Sequence, residues 1–256
     1  MTHIVRAKTR GEAWSHAVPI VGQNRDTAII LDIEQPYQET PTDRALHTAI
    51  DTQYRKLGLY PLETVASTIF PASFYWRNGM KGLYEDYLEA YPTIKLGDPG
   101  GWGTYAERLL RVEIPGERGE YVGNPPINPL EKTIEKLRKA NTPERQGFRS
   151  AYELSLYRPH QDANRERRIP CLTHLSFKLI QSRIHLTAIY RLHDYWQKVP
   201  GNLLGLARLQ ACVAREARAE IGSLTVHSTS AYFNFSKGFG VGALRKLHAA
   251  HSPDLV

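Results

Sequence analysis

The chain has little cysteine, no long apolar run and no excess of charged residues. Two cysteines, Cys171 and Cys212, in 256 residues do not suggest a disulfide framework, which favours a reducing, cytoplasmic location. No stretch approaches the roughly 20 apolar residues that a membrane-spanning helix needs, and we expect no signal peptide at the N-terminus. The ten histidines show no zinc-ligand spacing with the cysteines. These absences exclude a disulfide-rich secreted domain, a helical membrane protein and a zinc-finger type of site.

The charge balance is moderately basic and leaves two classes of partner open. Net charge is +7, while 41% of the residues are hydrophobic and 23% are charged, which is ordinary for a soluble globular domain. A nucleic-acid binder and an enzyme for anionic nucleotides would both suit this charge. The densest basic run, at 165–168, is typical of a solvated loop, although positive charge beside Cys171 would also favour its thiolate. Because no aromatic and basic RNA-binding motif is present, nucleic-acid binding is the less favoured interpretation.

The hydrophobic pattern predicts one α+β domain covering residues 1–256. Apolar and polar residues alternate over 175–179 and over 184–188, which indicates a β-hairpin with its turn at 181–183. Leucines and a valine recur at helical spacing after residue 202, so the segment 202–221 is predicted to be the longest core helix. Further helices are predicted at 11–17, from an N-cap at Thr42 or Asp43 through Lys56, and at 62–70, 80–90, 104–111, 128–140 and 244–251, with further strands at 27–33, 147–154 and 224–227.

Residues capable of chemistry cluster around the predicted hairpin. Cys171 follows a proline at the start of the first strand, where a side chain can be directed into a cleft, whereas Cys212 falls within the apolar helix and is interpreted as core. Arg191, Asp194 and Asn202 come just after the second strand. Taken singly, they are a surface arginine and two helix caps. Taken together, a thiol, a guanidinium, a carboxylate and an amide suit attack on a pyrimidine nucleotide.

The order of these residues carries a resemblance to a known family. Pro-Cys ending at Cys171, Arg-x-x-Asp from Arg191 to Asp194 and Pro-x-Asn ending at Asn202, with strand-like stretches between them, resemble the thymidylate synthase superfamily. The resemblance implies a thymidylate synthase-like single domain with a mixed sheet packed by helices, and a homodimer formed through the sheet. It also implies transfer of a methyl or hydroxymethyl group from methylenetetrahydrofolate to C5 of a pyrimidine nucleoside monophosphate, through a covalent Cys171 adduct at C6.

Shorter matches upstream extend the resemblance over most of the chain. The segment 24–27 is similar to the family's N-terminal phosphate loop, and the segment 102–105 to the segment that leads to its active-site tyrosine. For each short match, a surface or packing residue is the alternative. By the resemblance, the site residues are Cys171 as nucleophile, Glu63 for proton movement through water, Asp194 for the folate pterin, Tyr105 as the active-site tyrosine, Asn202 for the base, Tyr232 for the sugar, and Arg25, Arg145 and Arg191 for the phosphate.

The chain also departs from the family pattern at positions that touch the substrate. Leu192 stands where the family has a phosphate-binding serine, Lys198 where it has a glycine, and Ser230 where it has the histidine of His-x-Tyr. These changes predict a diverged member that acts on another pyrimidine nucleotide or delivers hydroxymethyl. Asn202 favours a uracil base, while the sugar and the product stay open. The alternative is a catalytically inactive nucleotide-binding protein on the same fold.

Overall fold

The computed structural model describes residues 1–23, 27–96, 101–113, 126–142, 150–235 and 239–251. Within these residues, seven strands form one sheet in the order β1-β2-β7-β5-β4-β3, and the short β6 pairs with β7. The strands are β1 (Thr2–Ala7), β2 (Thr27–Ile33), β3 (Glu153–Ser155), β4 (Leu172–Ile180), β5 (Arg183–Tyr190), β6 (His193–Asp194) and β7 (Glu220–Tyr232). The β1–β2, β5–β7 and β6–β7 pairs are parallel and the other pairs are antiparallel. The predicted α+β class with a mixed sheet is therefore confirmed.

Helices pack against this sheet. They are α1 (Arg10–Gln23), α2 (Pro41–Lys56), α3 (Leu62–Ser67), α4 (Ala72–Lys81), α5 (Tyr87–Leu96), α6 (Tyr105–Leu110), α7 (Pro129–Ala140), α8 (Pro159–Asp162), α9 (Val199–Glu216) and α10 (Val241–His251), and a π-helical turn, Gly82–Asp86, links α4 to α5. The N-cap of α2 is Thr40, whereas Thr42 or Asp43 was predicted. Asp43 instead occupies the third helical position, where its carboxylate accepts the Thr40 N–H and completes a capping box.

The β4–β5 hairpin brings together residues that lie on either side of it in the sequence. Gln181 and Ser182 form its two-residue turn with φ of 49° and 58°, which are the left-handed values that such a turn needs. The strands then pair back to Leu172 and Tyr190, and the Arg191 N–H donates to the carbonyl of Cys171 at 2.9 Å. The predicted hairpin is confirmed, and it places the chain before β4 beside the chain after β5.

The central helix α9 lies against β5 and β7 and carries α3 on its other side. It begins at Val199 and ends at Glu216, so the predicted segment 202–221 starts late and runs too far. Ile221 belongs to β7, where it pairs with Ile184. A Cβ at Gly201 would lie 2.5 Å from Val65 Cβ, so glycine is what lets α3 approach α9 this closely.

The two faces of the sheet differ in burial. On β2 and β7, alternate residues such as Ile29, Leu31 and Val226 are fully buried beneath helices. The residues between them, including Thr225 and His227, are only partly buried. The buried face of β7 has Gly222 and Ser228 where an apolar residue would indicate a strand, so the prediction recognised only 224–227 of its thirteen residues. Strand β3 is shorter than the predicted 147–154, of which 147–149 lie outside the described residues.

Candidate active site

A cavity of about 400 Å³ opens where β4 begins and β5 ends. Its walls come from α3, from the segment before α6, from the chain between β5 and α9, and from the end of β7. The lining residues are Tyr60, Thr64, Val65, Thr68, Trp102, Gly103, Tyr105, Cys171, Leu192, His193, Asp194, Lys198, Asn202, Tyr232 and Asn234. Five of the nine predicted site residues therefore share this cavity, namely Tyr105, Cys171, Asp194, Asn202 and Tyr232.

Cys171 lies half-buried in the cavity wall, one residue before β4. Burial raises the pKa of its thiol, and the carboxylate of Asp194 acts in the same direction. The positive charges of Arg191 and Lys198 lower that pKa. Formation of the thiolate in this site therefore depends on nearby positive charge.

The hydroxyl of Tyr105 lies beside the cysteine. It accepts a hydrogen bond from the backbone N–H of Leu172 at 3.3 Å, and the tyrosine ring is 4.6 Å from that of Trp102. Burial raises the pKa of Tyr105, and the proximity of Cys171 adds to the effect, so the hydroxyl keeps its proton. Thr104 caps α6 through Glu107 and so fixes the helix that carries Tyr105.

Asp194 is held by backbone donors from two parts of the chain. Its Oδ1 accepts the N–H groups of Trp196 at 3.0 Å and of Gln197 and Asn234 at 3.2 Å. Burial raises the pKa of the carboxyl, although these three N–H groups favour the charged form. Asp194 also pairs with Tyr232 across β6 and β7, and the half-exposed Tyr232 ring lines the same cavity. The carboxylate is thus rigidly placed in the cavity wall.

Asn202 lies in the first turn of α9 and is 4% exposed. Its Nδ2 donates to Nε2 of His193 at 3.1 Å. Burial lowers the pKa of His193 to about 3, so the ring is neutral. His193 was not predicted as a site residue, because a single histidine in Arg-Leu-His-Asp carries no spacing signal. Its position on β6, directly before the predicted Asp194, was the available indication.

The structure places two predicted residues away from the cavity lining. Glu63 is 55% exposed on α3, and both of its carboxylate oxygens accept hydrogen bonds from Nη1 of Arg208, at 2.7 and 2.8 Å. Arg191 donates from Nε to the carbonyl of Pro170 and from Nη2 to that of Ile169, each at 3.0 Å. In this structure Arg191 therefore fixes the chain just before Cys171, and the roles given to it and to Glu63 by the resemblance stay predictions.

The two other predicted phosphate ligands, Arg25 and Arg145, lie outside the described residues. The basic run at 165–168 is exposed, in agreement with a solvated loop. Among the described helices, none is both long enough and apolar enough to cross a membrane. In the same part of the chain, no group of three or more His, Cys, Asp or Glu side chains is placed to hold a metal ion.

Comparisons with known proteins bear on the family of the chain. A scan against models of protein families finds none that matches the chain. Several archaeal proteins described as "Putative thymidylate synthase" are similar to it, among them one from Methanosarcina barkeri that is 31% identical over 242 residues, covering 90% of this chain and 88% of that protein. A protein of Methanothermobacter marburgensis is 29% identical over 174 residues, covering 67% of this chain and 66% of that protein.

The extent of the match differs between relatives. A protein of Methanosarcina mazei is 32% identical over 109 residues, which are 43% of this chain and 47% of that protein. The chain thus spans about half the length of this relative, but nearly the whole length of the Methanosarcina barkeri protein. At about 30% identity the similarity is that of a diverged member. On these grounds, the chain belongs to the thymidylate synthase-like family.

Proposed function

We propose that the protein transfers a one-carbon unit from methylenetetrahydrofolate to C5 of a pyrimidine nucleoside monophosphate. The observation that carries this proposal is the meeting of Cys171, Asp194, Asn202 and Tyr232 in one cavity. A cavity of about 400 Å³ is within the size range of small-molecule sites. The description of the relatives as thymidylate synthases supports the same reaction class.

Cys171 acts first, as the nucleophile. Its sulfur loses a proton and adds to C6 of the base, and the electrons of the C5–C6 bond move towards the C4 carbonyl, which makes C5 nucleophilic. Loss of the C5 proton and departure of the sulfur later restore the ring. Because burial raises the pKa of the thiol, the positive charges of Lys198 and Arg191 favour this first step.

Other residues of the cavity hold the nucleotide. The amide of Asn202 offers a donor and an acceptor to the edge of the base. Tyr232 is proposed to contact the sugar, and Arg25, Arg145 and Arg191 are proposed to hold the phosphate, a role that suits guanidinium groups. For Arg191, this role requires its guanidinium to contact the phosphate in addition to the carbonyls of residues 169 and 170.

The cavity also suits a folate. Trp102 and Leu192 provide flat and apolar wall, and Asp194 provides a carboxylate whose three backbone hydrogen bonds all go to Oδ1. A pterin is flat and carries N–H donors, which match the flat wall and the acceptor oxygens of the Asp194 carboxylate. When bound, methylenetetrahydrofolate supplies the carbon atom and is able to supply a hydride. Glu63 is proposed to move protons through water, which requires its pair with Arg208 to open.

The product depends on whether hydride or water completes the reaction. Hydride gives a methyl group and water gives a hydroxymethyl group, and only a cavity closed to solvent favours hydride. Leu192, Lys198 and Ser230 differ from the family pattern, and the first two line the cavity. We therefore propose a substrate or product other than those of a housekeeping synthase, with a ribonucleotide among the candidates. Turnover of dUMP alone, to dTMP, would contradict this divergence.

A homodimer formed through the sheet belongs to the same proposal. The partly buried face of β5 and β7, which carries Thr187, Thr225 and His227, is the surface that a second copy would cover. We expect sedimentation at twice the mass of the chain. Thr187→Glu would place a charge at the centre of that face and should give monomers. A monomeric wild type would refute this part of the proposal.

Release of tritium from C5-labelled nucleotides tests the reaction. The wild type, given methylenetetrahydrofolate and dUMP, UMP, dCMP or CMP, should release tritium from at least one of them, and Cys171→Ala should release none. Cys212→Ala is the matched control, because that sulfur lies in the core of α9, 3.8 Å from the sulfur of Met80. We expect the control to retain release.

The same experiment separates the alternatives. Equal release by wild type and Cys171→Ala would refute the covalent mechanism. If no tritium is released from any of the four nucleotides while nucleotide binding persists, the chain is a nucleotide-binding protein that does not catalyse the reaction. Binding of DNA or RNA that weakens steeply with salt would indicate a nucleic-acid-binding module instead.

A further inference from the structure

A buried chain of hydrogen bonds leads from the cavity into the sheet. Nδ2 of Asn202 lies 3.1 Å from Nε2 of His193, and Nδ1 of His193 lies 2.9 Å from Oγ of Ser228. The hydroxyl of Tyr195 lies 3.0 Å from the same Oγ. All four residues are at most 4% exposed, so water does not compete for these bonds. Asn202 and His193 line the cavity, and Asn202 carries the amide that the proposed function assigns to the base.

Each hydrogen bond from Asn202 through His193 to Ser228 has a definite direction. An amide nitrogen carries hydrogens and no free acceptor site, so Nδ2 of Asn202 donates and Nε2 of His193 accepts. Burial lowers the pKa of His193 to about 3, which leaves one proton on the ring. That proton must then be on Nδ1, where it is donated to Oγ of Ser228.

The histidine ring is also held in its plane. It stacks on Tyr190 with ring centroids 3.7 Å apart and an angle of 5°, and it meets the edge of Tyr195 at 5.6 Å. His193 is 1% exposed and Tyr190 is fully buried. Rotation of the imidazole would break the hydrogen bond at each of its ends. The ring therefore provides a fixed acceptor for Asn202, rather than one that adapts.

A fixed acceptor matters because an asparagine amide alone reads uracil and cytosine equally well. Uracil presents a donor at N3 and an acceptor at position 4, whereas cytosine presents an acceptor at N3 and a donor at position 4. A half-turn of the amide exchanges Oδ1 and Nδ2 and so converts one match into the other. Turning Asn202 would bring Oδ1 against the unprotonated Nε2 of His193, where two acceptors would face each other.

We propose that His193 is a positioning residue that locks the amide of Asn202 in one orientation and thereby makes the site selective for uracil over cytosine. This inference rests on the proposed function for its ligand class. It assigns the choice of base to a histidine that acts through Asn202. Ser228 contributes an oxygen that accepts the proton on Nδ1.

The first test observes the histidine directly in the wild-type protein. Nitrogen-15 NMR of the imidazoles distinguishes the two neutral tautomers. We expect a signal from a neutral ring that is protonated on Nδ1, that persists at pH 5, and that is absent from His193→Gln. A ring protonated on Nε2, or a His193 that titrates near pH 6.5, would overturn the inference without any nucleotide.

The second test measures base selectivity by equilibrium binding of dUMP against dCMP, and of UMP against CMP, without folate. We expect wild type to favour uracil, and His193→Leu to reduce the affinity ratio by about fivefold to tenfold, the worth of one hydrogen bond. His193→Gln keeps an oxygen that accepts from Asn202, and it should retain the ratio within about twofold.

The outcomes distinguish this inference from the function on which it rests. An unchanged ratio in a folded His193→Leu, or a wild type that prefers cytosine, would overturn the role of His193. If His193→Leu and His193→Gln reduce the uracil-to-cytosine affinity ratio equally, that role is also overturned, because an equal reduction would indicate that His193 acts through packing. If the wild type binds none of the four nucleotides, the proposed function fails, and the NMR measurement still decides whether His193 holds Asn202.

Discussion

The buried ion pair between Arg108 and Asp162 should be the most sensitive point for stability near the active site. Arg108 is 2% exposed and Asp162 is fully buried. The two terminal nitrogens of Arg108, Nη1 and Nη2, both donate to the carboxylate of Asp162, Nη2 at 2.9 Å. Nη1 also donates to the carbonyl of Leu156 at 2.7 Å. The Arg108 guanidinium further lies 5.4 Å from the ring centre of Trp102, a wall of the cavity. The pair therefore supports the site as well as the core.

We predict that Asp162→Asn lowers the free energy of unfolding by ~3–5 kcal/mol, the usual loss when one partner of a buried pair is removed. The cause is the charge of Arg108, which would stay buried with only neutral acceptors. For a chain of this size that corresponds to a melting temperature lower by roughly 10 °C. Urea unfolding followed by tryptophan fluorescence measures the loss.

An exposed ion pair in the same chain provides the control. Glu135 and Lys132 are 3.2 Å apart on α7, with side chains 41% and 58% exposed. Glu135→Gln should change the free energy of unfolding by less than ~1 kcal/mol, because solvent screens such pairs. A loss in Asp162→Asn no larger than in this control would refute the reasoning.

The pH dependence of the loss follows from the ionisation of Asp162. Burial opposes its charge, but the Arg108 guanidinium and the Arg158 N–H outweigh burial and lower the pKa of Asp162 below its usual value. A lowered pKa in the folded protein adds stability above the unfolded value, which is about 3.9. The gap between wild type and Asp162→Asn should therefore be full at pH 7 and should shrink as the pH falls below about 4.

Three further predictions concern the site. Lys198→Met removes a charge that lowers the pKa of Cys171, so the pH profile of Cys171 alkylation by iodoacetamide should shift to higher pH; an unshifted profile would contradict the electrostatic role of Lys198. Gly201→Ala places a Cβ 2.5 Å from Val65, and it should cost ~1–3 kcal/mol in urea unfolding, whereas Gly58→Ala tests backbone strain alone, at a φ of 66° with open space around the Cβ. Arg191→Lys cannot bind both carbonyls before Cys171 in the same way, and we expect tritium release to fall about tenfold with little change in melting temperature.

The burial of the cysteine and the charges around it have a consequence for mechanism. In the free protein, burial and the charge of Asp194 both disfavour the thiolate of Cys171. A nucleotide phosphate that drew Arg191 towards the cavity would also bring positive charge closer to the sulfur. Binding and activation would then be coupled, and the nucleophile would be reactive mainly when substrate is present.

Much of the fold was predictable because its signals are local. The β4–β5 hairpin follows from strict alternation on both sides of a two-residue turn, and α7 follows from an asparagine cap and helical periodicity. Predictions failed where tertiary contacts overrode local pattern. The predicted helix continued to residue 221, but Glu220 and Ile221 pair with β5 and begin β7.

The candidate site was also predictable only in part. Sequence alone predicted that Cys171, Asp194 and Asn202 lie close together, because they fall within a span of 32 residues in a fixed order around a predictable hairpin, and the structure brings them into one cavity. Only the tertiary structure decided the partners of Glu63 and His193. Glu63 pairs with an arginine 145 positions away, and the acceptor for the His193 proton is 35 positions away on β7. Such contacts depend on which distant segments of the chain pack together, and neither composition nor the spacing of residues predicts that packing.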